Sequence, residues 1–274
     1  MNALRSFASR HPVMFVLSLA IAWLVLLLVF TGVAASALHR PYGDAVTGTI
    51  GRLTITAGIL LLVCRLGWLE AAGIARLGRW WTWLLALGGM TYFTLASLNS
   101  YFGRIAFDFS SLILLPEARA IVMTQFGVSL CEEILFRGVV LYSLVRAWGN
   151  TRRGLIGSLL LTSLIFALLH MMNVFSYGIP LSSALLLTLE TCLIAIWWGA
   201  LVLVGKSIWP AILLHLVGNT VIPVQALTTP MVETEISAII RILWFSIPLG
   251  MVGILLLMKA APQPVVPEPQ EQHL

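Results

Sequence analysis

Residues 118–146 read ARAIVMTQFGVSLCEEILFRGVVLYSLVR, and this stretch decides the fold. Between Arg119 and Arg146 its only charges are Glu132, Glu133 and Arg137. A run this long and this apolar fits the ~30 Å hydrocarbon core of a bilayer at ~1.5 Å of helical rise per residue. One acid in that core costs roughly 2.5–3.5 kcal/mol even on lenient insertion scales. Two adjacent acids there require partners or a function.

The rest of the chain agrees with that solvent. It has 274 residues, 59% hydrophobic and only 10% charged, where a soluble domain carries about 25% charged residues. The composition predicts an all-α, polytopic integral membrane helix bundle of about eight transmembrane helices. Apolar runs fall near 12–35, 48–72, 80–101, 118–146, 154–174, 181–204, 207–227 and 236–258. The N-terminus has the basic start and small-residue end of a secretory signal. Its apolar part runs about twenty residues, longer than the ~7–15 of a cleaved signal, and reads as an uncleaved first helix.

Charge placement orients the bundle. Arg5, Arg10, Arg76, Arg79, Arg146, Arg152, Arg153, Lys206 and Lys259 fall on one side of eight alternating spans, with Arg40, Arg104 and Arg119 on the other. The positive-inside rule then puts both termini in the cytoplasm. The basic residues speak to topology and lipid headgroups, and no motif or basic stripe points to nucleic acid. Cys64, Cys131 and Cys192 match neither a disulfide framework nor a metal knuckle and read as small buried side chains.

The polar residues divide the chain unevenly. Residues 1–117 read as N-terminal scaffold helices, 118–222 as a chemical core, 223–259 as a last transmembrane helix and 260–274 as a disordered, Pro- and Gln-rich tail containing His273. Within the core, Glu133 and Arg137 lie four apart on one helical face, the pairing that best lowers the cost of burying both. Glu132 points about 100° away from Glu133 and has no such partner. A carboxylate left unpaired in a poorly solvated cavity is the better proton acceptor, so Glu132 is the candidate general base. Phe166 shares a face with His170, where its ring can fix the imidazole. His215 shares a face with Asn219, which serves either as inter-helix glue or as an oxyanion donor. Glu190 stands mid-helix and reads as a structural acid, paired with Arg65 or Arg241 or lining the cavity.

In order, Glu132-Glu133-x-x-x-Arg137, Phe166-x-x-x-His170 and Trp209-Pro210-Ala-Ile-Leu-Leu-His215-x-x-x-Asn219 resemble the three motifs of the CPBP family of intramembrane proteases. The CAAX prenyl endopeptidases and the bacterial Abi-type proteins belong to that family. The resemblance covers about a hundred residues, roughly 118 to 222, and implies peptide-bond hydrolysis by a glutamate-activated water without a covalent intermediate. It implies Glu132 as base, His170 holding the water, and His215 with Asn219 stabilising the oxyanion. Glu133, Arg137 and Phe166 would then support the site. It implies a metal-free centre without a cofactor, acting on a membrane-associated protein or peptide in the lipid bilayer. The short loops look more like the bacterial branch, hence a bacterial inner membrane.

Rival readings share these residues. An acid and two histidines can hold zinc, although no HExxH accompanies them. Ionisable residues in spans also mark transporters, but neither repeated halves nor paired broken helices are visible. A non-catalytic scaffold or peptide-toxin immunity protein is the remaining alternative. Counted along its helix, His170 lies ~24 Å from the cytoplasmic end, deeper than Glu132 and His215, so a shared site requires helix tilt or a later entry into the bilayer.

Overall fold

The computed structural model describes residues 2–41, 44–103, 115–231 and 234–260. Arg104, Asp108, His273 and all of the expected tail except Ala260 lie outside these residues. The described chain is helical, with no strand among the described residues. In order it forms α1 (Asn2–Arg10), α2 (Pro12–Leu38), α3 (Ala45–Arg65), α4 (Trp80–Phe102) and α5 (Pro116–Glu133). A π-helical stretch, Ile134–Leu141, leads from α5 into α6 (Tyr142–Trp148), followed by α7 (Arg152–Leu168), a 3-10 turn (Leu169–Met172) and α8 (Asn173–Tyr177). The chain continues through α9 (Leu181–Gly205), α10 (Trp209–Gln225) and α11 (Glu235–Arg241). A second π-helical stretch, Ile242–Ser246, joins α11 to α12 (Ile247–Lys259).

Five helical segments are long and apolar enough to cross a membrane: Pro12–Leu38, Ala45–Arg65, Arg152–Phe175, Leu181–Gly205 and Glu235–Lys259. The other three runs expected to cross are helical as well, but composition or length sets them apart. Pro116–Glu133 ends in the acid pair. Trp209–Gln225 has only 17 residues, and α4 carries Thr91, Thr94, Ser97, Asn99 and Ser100 in its second half. Five crossings, rather than eight, therefore rest on length and composition.

The expected run 48–72 also stops early, because α3 ends at Arg65 and residues 66–79 form turns. Gly67, Gly73 and Gly78 in that segment have φ of 67°, 75° and 76°, a region that residues with a Cβ enter only under strain. At Gly78 a Cβ would lie 2.5 Å from the Gly205 carbonyl oxygen and 2.6 Å from Ser207 Cβ. The segment ties down the start of α10: Ile208 N–H donates to the Gly73 carbonyl at 3.2 Å. The Trp209 indole donates to the Ile74 carbonyl at 3.0 Å. Pro210 occupies the first turn of α10, where no intrahelical N–H is missed.

The termini of α3 show how sequence sets the ends. Asp44 is its N-cap and accepts from Thr47 N–H at 2.7 Å, while Arg40 pairs with the same carboxylate. The Thr47 N–H, then the Arg40 guanidinium, hold the Asp44 carboxyl down at about 2. Inside the bundle α5 lies between α3 and α10, α10 also packs on α4, and α9 packs between α7 and α12. That arrangement brings α5, α7, α9 and α10 around one space.

Candidate functional site

The acid pair sits at the seam where α5 gives way to the π-helical stretch, a rare geometry that recurs at functional sites. Adjacent residues there meet different environments. Glu133 is fully buried, and its Oε1 accepts from Arg137 Nη1 at 2.8 Å. The same oxygen lies 2.8 Å from His215 Nδ1. The side chain of Glu132 keeps 15% of its accessibility, and its Oε2 is 3.8 Å from His215 Nε2. His215 thus stands between the two carboxylates.

Aromatic rings hold this cluster. The Arg137 guanidinium lies 4.4 Å from the Phe166 ring centroid and 5.4 Å from that of Trp198, a cation–π arrangement that offsets part of the charge's desolvation. Trp198 lies against the His215 ring with centroids 4.8 Å apart and planes 32° from parallel. Phe166 meets His170 edge-on at 5.3 Å and His215 at 6.1 Å. Its backbone carbonyl lies 3.3 Å from His170 Nδ1. A carbonyl can only accept, so that contact puts the His170 proton on Nδ1 and leaves Nε2 as an acceptor.

A cavity of about 540 Å³ opens beside these groups, lined by Glu132, His170, His215, Asn219 and Phe166. Glu133 does not line it. All four residues expected to carry the chemistry therefore reach one space, and the three expected to support them pack behind or beside it. The depth mismatch foreseen for His170 does not keep it away. α7 gives way to the 3-10 turn Leu169–Met172 at this level, and His170 shares the cavity with Glu132 and His215.

The sequence reading of Glu190 resolves in favour of Arg241. The two make a buried bidentate pair, Nε–Oε1 and Nη2–Oε2 both 3.1 Å, with the Arg241 guanidinium 4.1 Å from the Tyr101 ring centroid. Both ends of the pair line the same cavity as Glu132. Cys131 is spoken for as well, since its sulfur accepts from the Trp23 indole at 3.3 Å.

Three residues of the site were not singled out from sequence. Trp198 lies in an apolar WWG run with nothing to mark it. Asn173 lines the cavity three residues past His170, and its spacing from that histidine was the available signal. Arg52 reaches the cavity from α3. Glycine at 127 lets α3 come close to α5 there: a Cβ at that position would lie 3.3 Å from Thr49 Cγ2 and 3.8 Å from Arg52 Cβ. Among the described residues no group of three or more His, Cys, Asp or Glu side chains is arranged to hold a metal ion.

An all-helical chain with several membrane-length apolar helices and a sheltered Glu–His–Asn cluster is an integral membrane protein built around a polar centre. Residues 115–221 match a family model described as type II CAAX prenyl endopeptidase Rce1-like. Every motif residue from Glu132 to Asn219 falls inside the match. No curated protein and no solved structure matches the chain.

Proposed function

We propose that the chain is an intramembrane endopeptidase in which Glu132 activates a water molecule. The observation that carries this reading is the divergence of the acid pair. Glu133 is sealed in a network with Arg137 and His215, whereas Glu132 faces a cavity shared with His170, His215 and Asn219.

In this mechanism a substrate peptide enters the cavity and a water sits between Glu132 and His170 Nε2. Glu132 takes one proton as the water oxygen attacks the peptide carbonyl carbon. The resulting oxyanion is met by Asn219 Nδ2 and, in its doubly protonated form, by His215 Nε2. Fixed donors of this kind are worth about 2.7–4 kcal/mol each when removed. Glu132 then returns its proton to the departing amine, so no group of the protein is left changed. Glu133 and Arg137 act as positioning residues: they hold the base's helix and, through Nδ1, the His215 ring. Eight crossings with both termini in the cytoplasm of a bacterial inner membrane complete the proposal.

The test is cleavage of membrane proteins or peptides by purified protein in vesicles, wild type against Glu132→Gln. Products that form equally with both would sink the mechanism. Activity lost to a chelator and restored by zinc would sink the metal-free form of it.

A further inference from the structure

The cavity that holds Glu132 lies toward one end of the bundle. Its lining takes Arg52 from near the start of α3, Tyr101 from the last turn of α4 and Gln125 from the first half of α5. Asn173 at the start of α8, Pro223 in the last turn of α10 and Arg241 in α11 belong to the same end. Ser100, also in the last turn of α4, donates to the Ser237 carbonyl in the first turn of α11 at 3.2 Å. Ionisable and polar side chains inside a membrane bundle face its interior or a water-filled space. Arg52, Gln125, Asn173 and Arg241 supply such a lining between Glu132 and these helix ends.

The opposite end is tied together separately. Arg5 Nη2 donates to the Leu66 carbonyl just past α3 at 2.8 Å. The Arg79 N–H, ahead of α4, donates to the Gly205 carbonyl at the end of α9 at 3.0 Å. Between the acid pair and that end every residue of Ile134–Leu141 is buried, and Phe136 packs edge-on against both Trp23 and Phe166. The way to Glu132 is polar from one end and blocked by packed side chains from the other.

The two ends also differ in charge. The arginines and lysines assigned above to the cytoplasmic side sit at the blocked end, joined by Arg65, with Glu70 as the one acid there among the described residues. The cavity end carries only Arg40 and Arg119 as basic residues among the described ones, beside Asp44, Glu117 and Glu235. Lys and Arg in short loops mark the cytoplasmic face. The depth of His170 fits the same orientation. It lies ~24 Å from the cytoplasmic end of its helical segment but only ~8 Å from the far end at Phe175.

We propose that the Glu132 cavity opens to the face of the membrane away from the cytoplasm, and that its substrates are juxtamembrane peptide segments exposed on that face. The substrate half of this inference rests on the reading of Glu132 as the base of a protease. The opening itself rests on the cavity's place in the bundle and on the charge pattern. A cytoplasmic tail has no polar route to Glu132, because Ile134–Leu141 and the rings around Phe136 stand in the way.

The experiment is labelling of single cysteines by a membrane-impermeant, charged thiol reagent in right-side-out vesicles from a bacterial host. Full-length protein is used, with Cys64, Cys131 and Cys192 replaced by alanine; a background that keeps the buried Cys131 serves if the triple replacement does not fold. Asn173→Cys reports the cavity, with Thr124→Cys as a second reporter should the first not fold. Glu235→Cys and Arg153→Cys, both exposed, report the two ends. The cavity reporter and Glu235→Cys label equally before and after permeabilisation, while Arg153→Cys labels only after it. A cavity reporter that labels only after permeabilisation overturns the proposal. So does one that labels on neither side, or the reversed pattern at Glu235→Cys and Arg153→Cys. The labelling needs no proteolysis, so it stands or falls apart from the role of Glu132. Cleavage sites lost in Glu132→Gln then fall in segments outside the cytoplasm, and sites in cytoplasmic segments overturn the substrate assignment. If no cleavage site depends on Glu132, the protease reading and this substrate assignment fail together, and the labelling still decides the opening.

Discussion

His215 Nδ1 lies 2.8 Å from Glu133 Oε1, joining residues 82 positions apart on two helices. The contact gives Glu133 two jobs. It neutralises Arg137 and it fixes which face of the His215 ring meets the cavity. Adjacent acids in a membrane helix thereby differ in kind: Glu133 is part of the packing and Glu132 lines the cavity.

That difference predicts opposite responses to similar changes. Glu133→Gln leaves Arg137 without its carboxylate in a buried position, a loss of about 3–5 kcal/mol for a broken buried pair. Glu132→Gln, at a partly exposed cavity wall, should change stability by about 1 kcal/mol or less. Thermal melts of the two variants in detergent measure the contrast, and equal melting temperatures would count against it.

The Glu190–Arg241 pair ties α9 to the start of the last helical segment. Either single change, Glu190→Met or Arg241→Met, should destabilise by about 3–5 kcal/mol, while making both changes together should recover most of the loss. A double-variant cycle by thermal unfolding reads this directly. A double variant as unstable as the worse single would contradict it.

The turn segment should control α10. A Cβ at Gly78, where φ is 76°, meets the Gly205 carbonyl oxygen and Ser207 Cβ. Gly78→Ala should cost about 1–3 kcal/mol through strain and overpacking. Because the segment holds Ile208 and Trp209, the same change should also lower any activity that depends on His215. Unchanged melting temperature and turnover would show that the contact is slack.

Acid sensitivity has one predicted source outside the spans. The Asp44 carboxyl is held at about 2, below the ~3.9 of an unfolded aspartate. A depressed carboxyl adds stability above its unfolded value and loses it as pH falls through the folded one. The stability gap between wild type and Asp44→Ala should therefore be full above about pH 5 and shrink between about pH 4 and 2. Melts across that range check it, and a gap that does not change would refute the assignment.

Much of this was legible before any coordinates. Apolar run length and sparse charge predict an all-helical membrane bundle, and helical spacing predicts Glu133 with Arg137. Sequence spacing could not show His215 meeting Glu133, because that contact depends on how α5 and α10 pack. Trp198 was hidden for a different reason: a tryptophan in an apolar helix looks the same whether it faces lipid or an imidazole. Arg52 was missed because its meaning comes from the close approach of α3 to α5 at Gly127. The early end of α3 was signalled by Gly67, yet the apolar residues beyond it extended the run past the helix.

The central claim is that Glu132 is the base of a peptide-cleaving centre. Comparative peptidomics of membranes carrying wild type, Glu132→Gln or no protein tests it most directly. The account predicts cleavage products present with wild type and absent from both other samples, at equal levels of folded wild-type and variant protein. Products that persist undiminished with Glu132→Gln, or a wild-type profile identical to that of membranes without the protein, would contradict it.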